Sequence, residues 1–139
     1  MNLRDRLREL FEKVGPGRED VLDELRPLYA DDVHFQDPMQ SIDGRDAFLA
    51  TNRRLLSRAR ALSFTIAPPV GTDEEFFLTW TMRFAPLVGP TFEVEGVSHL
   101  RARDGAIVLH RDYWDMAGLL ASGVPGGAWL LRSALRPFT

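Results

Sequence analysis

The stretch Glu75–Phe84, EFFLTWTMRF, decides how the chain is read. Its large apolar residues fall on every second position. Phe76, Leu78, Trp80, Met82 and Phe84 share one face, and Thr79, Thr81 and Arg83 take the other. A period of two is the mark of a β-strand with one face in a core. The same period continues on both sides. LSFTIAPPV (residues 62–70) is a strand stopped by two prolines, and TFEVEGVSHLRA (91–102) is a long strand. Asp104-Gly105 is a tight hairpin signal, after which AIVLHRDYWD (106–115) returns antiparallel.

Upstream, the period changes to that of helices. MNLRDRLRELFEKV (1–14) places Leu3, Leu7, Leu10, Phe11 and Val14 on one helical face. GPGRED breaks that helix, and a second is expected from Glu19 to Tyr29, with Val21, Leu22, Leu25 and Leu28 inward. A short strand VHFQD (33–37) follows. Asp43 is expected to cap a third helix that carries Asp46 in its first turn, and Gly44 opens it. The segment 116–139 reads as a short helix, a glycine hinge and, over 124–139, a further helix. Helices first and a meander afterwards predict one α+β domain over residues 1–139. In it a cone-shaped, curved antiparallel sheet packs on N-terminal helices and encloses a pocket.

The bulk numbers exclude several classes. The chain has 139 residues, 45% hydrophobic, enough for one core. Its net charge is -3 with both signs interspersed, so it lacks the basic footprint of a nucleic-acid binder. No apolar run is long enough to span a bilayer. The N-terminal stretch is an amphipathic helix and not the apolar core of a secretion signal, which makes a cytoplasmic chain the expectation. With no cysteine, disulfides and thiolate chemistry are excluded. The three histidines fall on different element faces, so no metal site is expected.

The polar residues placed at inward positions carry the functional question. Val33, Phe35 and Asp37 point together, and Ser98 shares a face with Val94, Gly96 and Leu100. On the last strand Val108, His110, Asp112 and Trp114 lie on one side, with Ile107, Leu109, Arg111 and Tyr113 on the other; both sides are mixed, and parity alone does not choose between them. Asp37 precedes a proline, so it is either a turn residue or a base at the mouth of a pocket. His110 and Asp112 form either a solvated edge pair or an acid–base pair.

The stretches LYADDVHFQDPMQSIDGRDAF (28–48) and GVSHLRARDGAIVLHRDYWD (96–115) resemble the SnoaL-like members of the nuclear transport factor 2-like superfamily. These include polyketide cyclases, ketosteroid isomerases and limonene epoxide hydrolases, and the resemblance runs from about Leu3 to Leu120. It implies that the face holding His110, Asp112 and Trp114 lines the pocket. The general base of the steroid isomerases falls at Asp37. Their oxyanion-hole positions fall at Phe11 and Ser98, which do not reproduce the two donors. One catalytic aspartate of the epoxide hydrolases falls at Asp112, while their Arg-x-Asp pair falls among Leu78, Trp80 and Met82.

The expected function is therefore an acid–base isomerase, cyclase or lyase acting on an apolar, cyclic or carbonyl-containing small molecule. Asp37 would be its base, and His110 and Asp112 a second acid–base pair. Phe35, Trp80, Met82, Ser98 and Trp114 would line the substrate pocket, and no cofactor is implied. The alternative is a non-catalytic ligand- or partner-binding domain of the same fold. The resemblance and the apolar outer face together imply a homodimer, formed through Thr79, Thr81, Val97, His99, Leu109 and Tyr113.

Overall fold

The computed structural model describes residues 1–138. Helix α1 (Leu3–Lys13) starts at Asn2, whose side chain accepts the Asp5 N–H at 2.9 Å, and it buries Leu7 and Leu10 completely. Helix α2 (Asp20–Leu25) is shorter than the expected Glu19–Tyr29. Pro27 cannot donate to the helical ladder, and the chain tightens into a 3-10 turn over Arg26–Leu28. Strand β1 (Tyr29–Gln36) therefore begins at Tyr29, four residues before the expected start.

Strand β2 (Ser41–Asp43) pairs antiparallel with β1 and leads into α3 (Arg45–Ser57). The N-cap of α3 is Gly44, at φ +96°, and not Asp43. Asp43 sits opposite His34 across the β1–β2 pair and holds its Nδ1 at 2.7 Å. The carboxylate that was expected to cap the helix is thus used on the strand.

Strands β3 (Ala59–Ile66), β4 (Val70–Gly71), β5 (Glu75–Pro86), β6 (Phe92–Arg103) and β7 (Ala106–Trp114) complete the sheet. Its order is β2-β1-β7-β6-β5-β3, with β4 added on β5. Asp104 and Gly105 both have positive φ, 54° and 78°, as the β6–β7 hairpin turn requires. All pairs are antiparallel except one: β1 lies parallel to β7, with Phe35 beside His110. Irregularities in the β1–β7, β3–β5 and β6–β7 ladders bend the open sheet around the helices.

One of these irregularities corrects the reading of β7. Strict alternation groups Val108 with His110 and sets Ile107 on the opposite face. In the structure Ile107 is fully buried and Val108 only partly, because the register shifts between Arg101 and Ala102 on β6. Beyond the shift, Leu100 faces His110, Ser98 faces Asp112 and Gly96 faces Trp114.

Helix α4 (Met116–Gly123) is capped by Asp115, which accepts the Gly118 N–H at 2.8 Å. Gly123 lies so close to the Phe92 ring that a β-carbon would overlap it, which brings α4 down onto β6. Helix α5 (Gly127–Ala134) follows the hinge at Gly126. Among the described residues no helix is long and apolar enough to cross a membrane.

Gly96 has a second kind of close neighbour. It pairs with Trp80 across β5–β6, and the indole lies directly over its α-carbon. Gly96→Val should force the indole aside and destabilise the fold by about 1–3 kcal/mol. Urea unfolding measures the loss, and tryptophan emission in the native state should shift with it. An unchanged midpoint would show that the indole does not depend on this gap.

Candidate functional site

The bent sheet and α3 enclose a cavity of about 480 Å³. Its walls are largely aromatic and aliphatic: Phe11 from α1, Phe35 from β1, Phe48 from α3, Phe64 from β3, and Leu78, Trp80, Met82 and Phe84 from β5. Leu119 of α4 closes part of one side. All eight residues singled out in the sequence, Phe35, Asp37, Trp80, Met82, Ser98, His110, Asp112 and Trp114, border this one space. Alternation on β5 and β6 accounts for three of them, and the register of β7 beyond its bulge accounts for three more.

Across β1, β5, β6 and β7 the polar groups form a chain. Tyr29 Oη lies 2.8 Å from His110 Nδ1, and His110 Nε2 lies 2.8 Å from Asp112 Oδ1. From the other side, Trp80 Nε1–H donates to Ser98 Oγ at 2.9 Å, and Ser98 O–H donates to the same Asp112 Oδ1 at 2.5 Å. Tyr29 is fully buried, and that burial, with the nearby Asp112 charge, pushes its phenol well above its usual range. The phenol keeps its hydrogen and needs an acceptor. His110 Nδ1 supplies it, which leaves the imidazole hydrogen on Nε2, pointed at Asp112. Four buried hydrogens thus run toward one carboxylate oxygen.

The second oxygen is different. Asp112 Oδ2 has no hydrogen-bond partner among the described residues, and the side chain keeps 20% of its surface exposed in the cavity. It is an acceptor, or a base, presented to whatever fills the space.

Around His110 (4% exposed) stand the rings of Phe11, Tyr29, Phe35 and Phe48, with centroids 5.2 to 6.0 Å away. They seal the imidazole from water. Asp37 is placed otherwise. It lies at the rim, just after β1, and its carboxylate accepts the N–H groups of Met39 at 2.7 Å and Gln40 at 3.0 Å on Oδ1. Oδ2 takes one further bond from the Gln40 side chain at 3.1 Å. This is the geometry of a turn-forming aspartate.

Tyr29 is the residue that sequence reasoning missed. The helical spacing runs on to Tyr29 in the sequence, and alternation back from Phe35 and Val33 passes through the exposed Asp31, because the β1–β7 register is irregular between Tyr29 and His34. The proline at position 27 is the one signal that the helix has ended. His34 and His99 do not join the cavity: His34 is bound to Asp43, and His99 stacks on Phe77 and meets Glu75 on the other face of the sheet. Among the described residues no three His, Asp or Glu side chains converge as metal ligands.

Tyr29→Phe removes one hydroxyl and leaves His110 Nδ1 buried without a donor. The expected cost is about 1–3 kcal/mol. The effect also depends on pH. The unfolded chain ionises a tyrosine near pH 10, roughly, whereas the folded chain holds this proton to higher pH. That contribution is complete below about pH 10 and is lost as pH rises further, at ~1.4 kcal/mol per unit. Denaturation measured from about pH 9 to 11 should show this alkaline loss in the wild type and a flatter profile in Tyr29→Phe.

Comparison with known proteins agrees with this architecture. The profile of the SnoaL-like domain matches residues 5–110. Among curated proteins none matches the chain in sequence. A nuclear transport factor 2-like protein of unknown function from Exiguobacterium sp. 255-15 superposes with a TM-score of 0.71 at 23% identity, over 83% of this chain and 99% of its own. A candidate SnoaL-like polyketide cyclase from Jannaschia sp. CCS1 gives 0.71 at 16% identity, over 88% and 92% of the two chains. An epoxide hydrolase of M. tuberculosis, like limonene epoxide hydrolase, gives 0.68 at 16% identity, over 99% and 94%. At these identities the likeness is one of fold. With the profile covering more than half of its length, the chain belongs to the SnoaL-like family.

Proposed function

We propose that the protein is a small-molecule enzyme of acid–base type, an isomerase, cyclase or lyase, and that Asp112 is its principal acid–base group. The reading rests on one observation: Asp112 has one oxygen fixed by Ser98 and His110, and its other oxygen is open to an otherwise apolar cavity. A carboxylate held in this way needs no reorganisation before it takes a proton. The substrate is an apolar, cyclic, carbonyl-containing compound. Its acidified C–H lies against Oδ2, and its body fills the space between Phe35, Phe64, Trp80, Met82 and Trp114. The proton moves from the carbon beside the carbonyl to Asp112 and is returned at a second carbon of the same molecule, so the step is balanced without a cofactor. His110 and Tyr29 hold the carboxylate's orientation.

Asp37 stays in the proposal as a second carboxylate at the mouth, where Oδ2 accepts only the Gln40 side chain and is the freer of its two oxygens. Such a division of labour gives the two aspartates different weights. Asp112→Asn should keep the fold, because its amide oxygen still accepts from Ser98 and His110. Turnover of pocket-sized cyclic enones and 1,3-diketones should fall by ~10²–10⁴. Asp37→Asn should lower it by less than about tenfold, the loss of a group that positions without taking the proton. The opposite order in kcat/KM would return the base to Asp37.

A second reading, a non-catalytic binding domain of the same fold, is favoured by a specific feature. The inner N–H and O–H donors of Tyr29, His110, Ser98 and Trp80 are used within their own chain, so none is left to stabilise a developing enolate oxygen. On that reading the ligands bind to wild type and Asp112→Asn, and neither protein turns them over.

We also infer that the whole chain, 124–139 included, works as one domain, and that it pairs with a second copy through the outer sheet face. Phe77 and Tyr113 are 41% and 48% exposed on that face, beside Thr79 and Val97. Sedimentation at micromolar concentration should give the mass of a dimer. Tyr113→Glu should shift it to the monomer, and a monomeric wild type would contradict the pairing.

A further inference from the structure

The arginines of α3 are unequally partnered. Arg45 reaches Asp31 at 2.6 Å and Arg53 reaches Asp23 at 3.7 Å, so the cations turned toward the rest of the fold have acids opposite them. Arg54 and Arg58, which border the cavity, form no ion pair among the described residues. Arg54 is held by a neutral group: its Nη2 donates to Thr51 Oγ1 at 3.0 Å, and Thr51 in turn donates to the Ala47 carbonyl. Both cations sit at the C-terminal end of α3, where the helix dipole stabilises positive charge without a carboxylate of this chain. They remain free to meet one from outside.

The other charged residues bordering the cavity are Asp112 on β7 and Asp37 just beyond β1, brought side by side by a register that pairs Phe35 with His110 and Gln36 with Arg111. Asp37 Oδ1 is taken up by the backbone of its own loop, and Oδ2 accepts one bond, from the Gln40 side chain. The α3 wall therefore carries two guanidinium groups without an acid of their own, while Asp112 keeps one oxygen open on the β7 wall. Arg54 and Arg58 come from α3, and Asp37 and Asp112 from β1 and β7, so the two signs stand on different walls of the cavity.

From this arrangement we propose that the natural ligand is an apolar ring compound bearing a carboxylate, held through that carboxylate by Arg54 and Arg58. The inference rests on the reading above that the cavity takes an apolar small molecule, and it fixes that molecule's class and orientation. A carboxylate set against β7 would meet Asp112 in largely apolar surroundings, where like charges repel strongly. Turned toward α3, it meets planar guanidinium donors that match its two oxygens. The reacting end is then delivered to Asp112 Oδ2 by binding on the α3 wall.

Displacement of a neutral fluorescent probe tests this. N-phenyl-1-naphthylamine is bound to the protein and displaced with naphthalene-1-acetate or with naphthalene-1-acetamide, which has nearly the same shape and no charge. The wild type should bind the acetate at least about fivefold tighter than the amide, a preference of the size that two rim charges give, and salt should reduce it. In Arg54→Gln/Arg58→Gln the preference should vanish, while the amide keeps its affinity within about twofold. Both substitutions are on exposed residues and should leave the fold intact. Equal affinities in the wild type, or a preference that survives in the double variant, would overturn the assignment of the carboxylate and leave the cavity reading standing. A probe that does not bind, or that neither compound displaces, would overturn both.

Discussion

Asp112 Oδ1 accepts hydrogen bonds from Ser98 and His110, and behind these stand Trp80 and Tyr29. Strands β1, β5, β6 and β7 are tied together at that one atom. The constraint is severe because the chain is buried. Each N–H or O–H in it would cost a desolvation penalty if its acceptor were lost, so the side chains hold one another in a single arrangement. The geometry also needs Gly96, since the indole that reaches Ser98 has to cross the strand where a side chain would stand.

The aromatic residues serve the same end. The rings around His110 exclude water from the imidazole, and the hydrogen bond it makes to Asp112 is stronger for the low dielectric that results. What is left for a ligand is one carboxylate oxygen, a hydrophobic chamber and two arginines of α3 at its border. On the proposed reading, affinity comes from the walls and the arginines of α3, and proton transfer from Asp112.

Much of this was legible in the sequence, and the limits have physical causes. The period of two on β5 and β6 is unbroken, so it placed Trp80, Met82 and Ser98 correctly on the inner face. On β7 a bulge moves Ile107 inward, and strict alternation cannot show an extra residue in one strand. The parallel contact of β1 with β7 joins residues as far apart in sequence as Phe35 and His110, which local pattern does not report. Tyr29 was hidden for the same reason. Its partner His110 is distant in sequence, and the residues before it still had helical spacing up to Pro27. Asp43 and Asp37 show that an acidic residue at a loop is ambiguous, because cap, turn, ion pair and base all use the same carboxylate.

The direction of the hydrogen-bond chain is the claim on which the rest stands, and the imidazole of His110 reports it. Nitrogen-15 NMR of the histidine side chains near neutral pH distinguishes the tautomers. The account predicts that the hydrogen of His110 is on Nε2, with a bare Nδ1 that accepts from Tyr29. A hydrogen on Nδ1, with Nε2 bare or also protonated, would mean that the chain does not run from Tyr29 to Asp112, and would contradict the account.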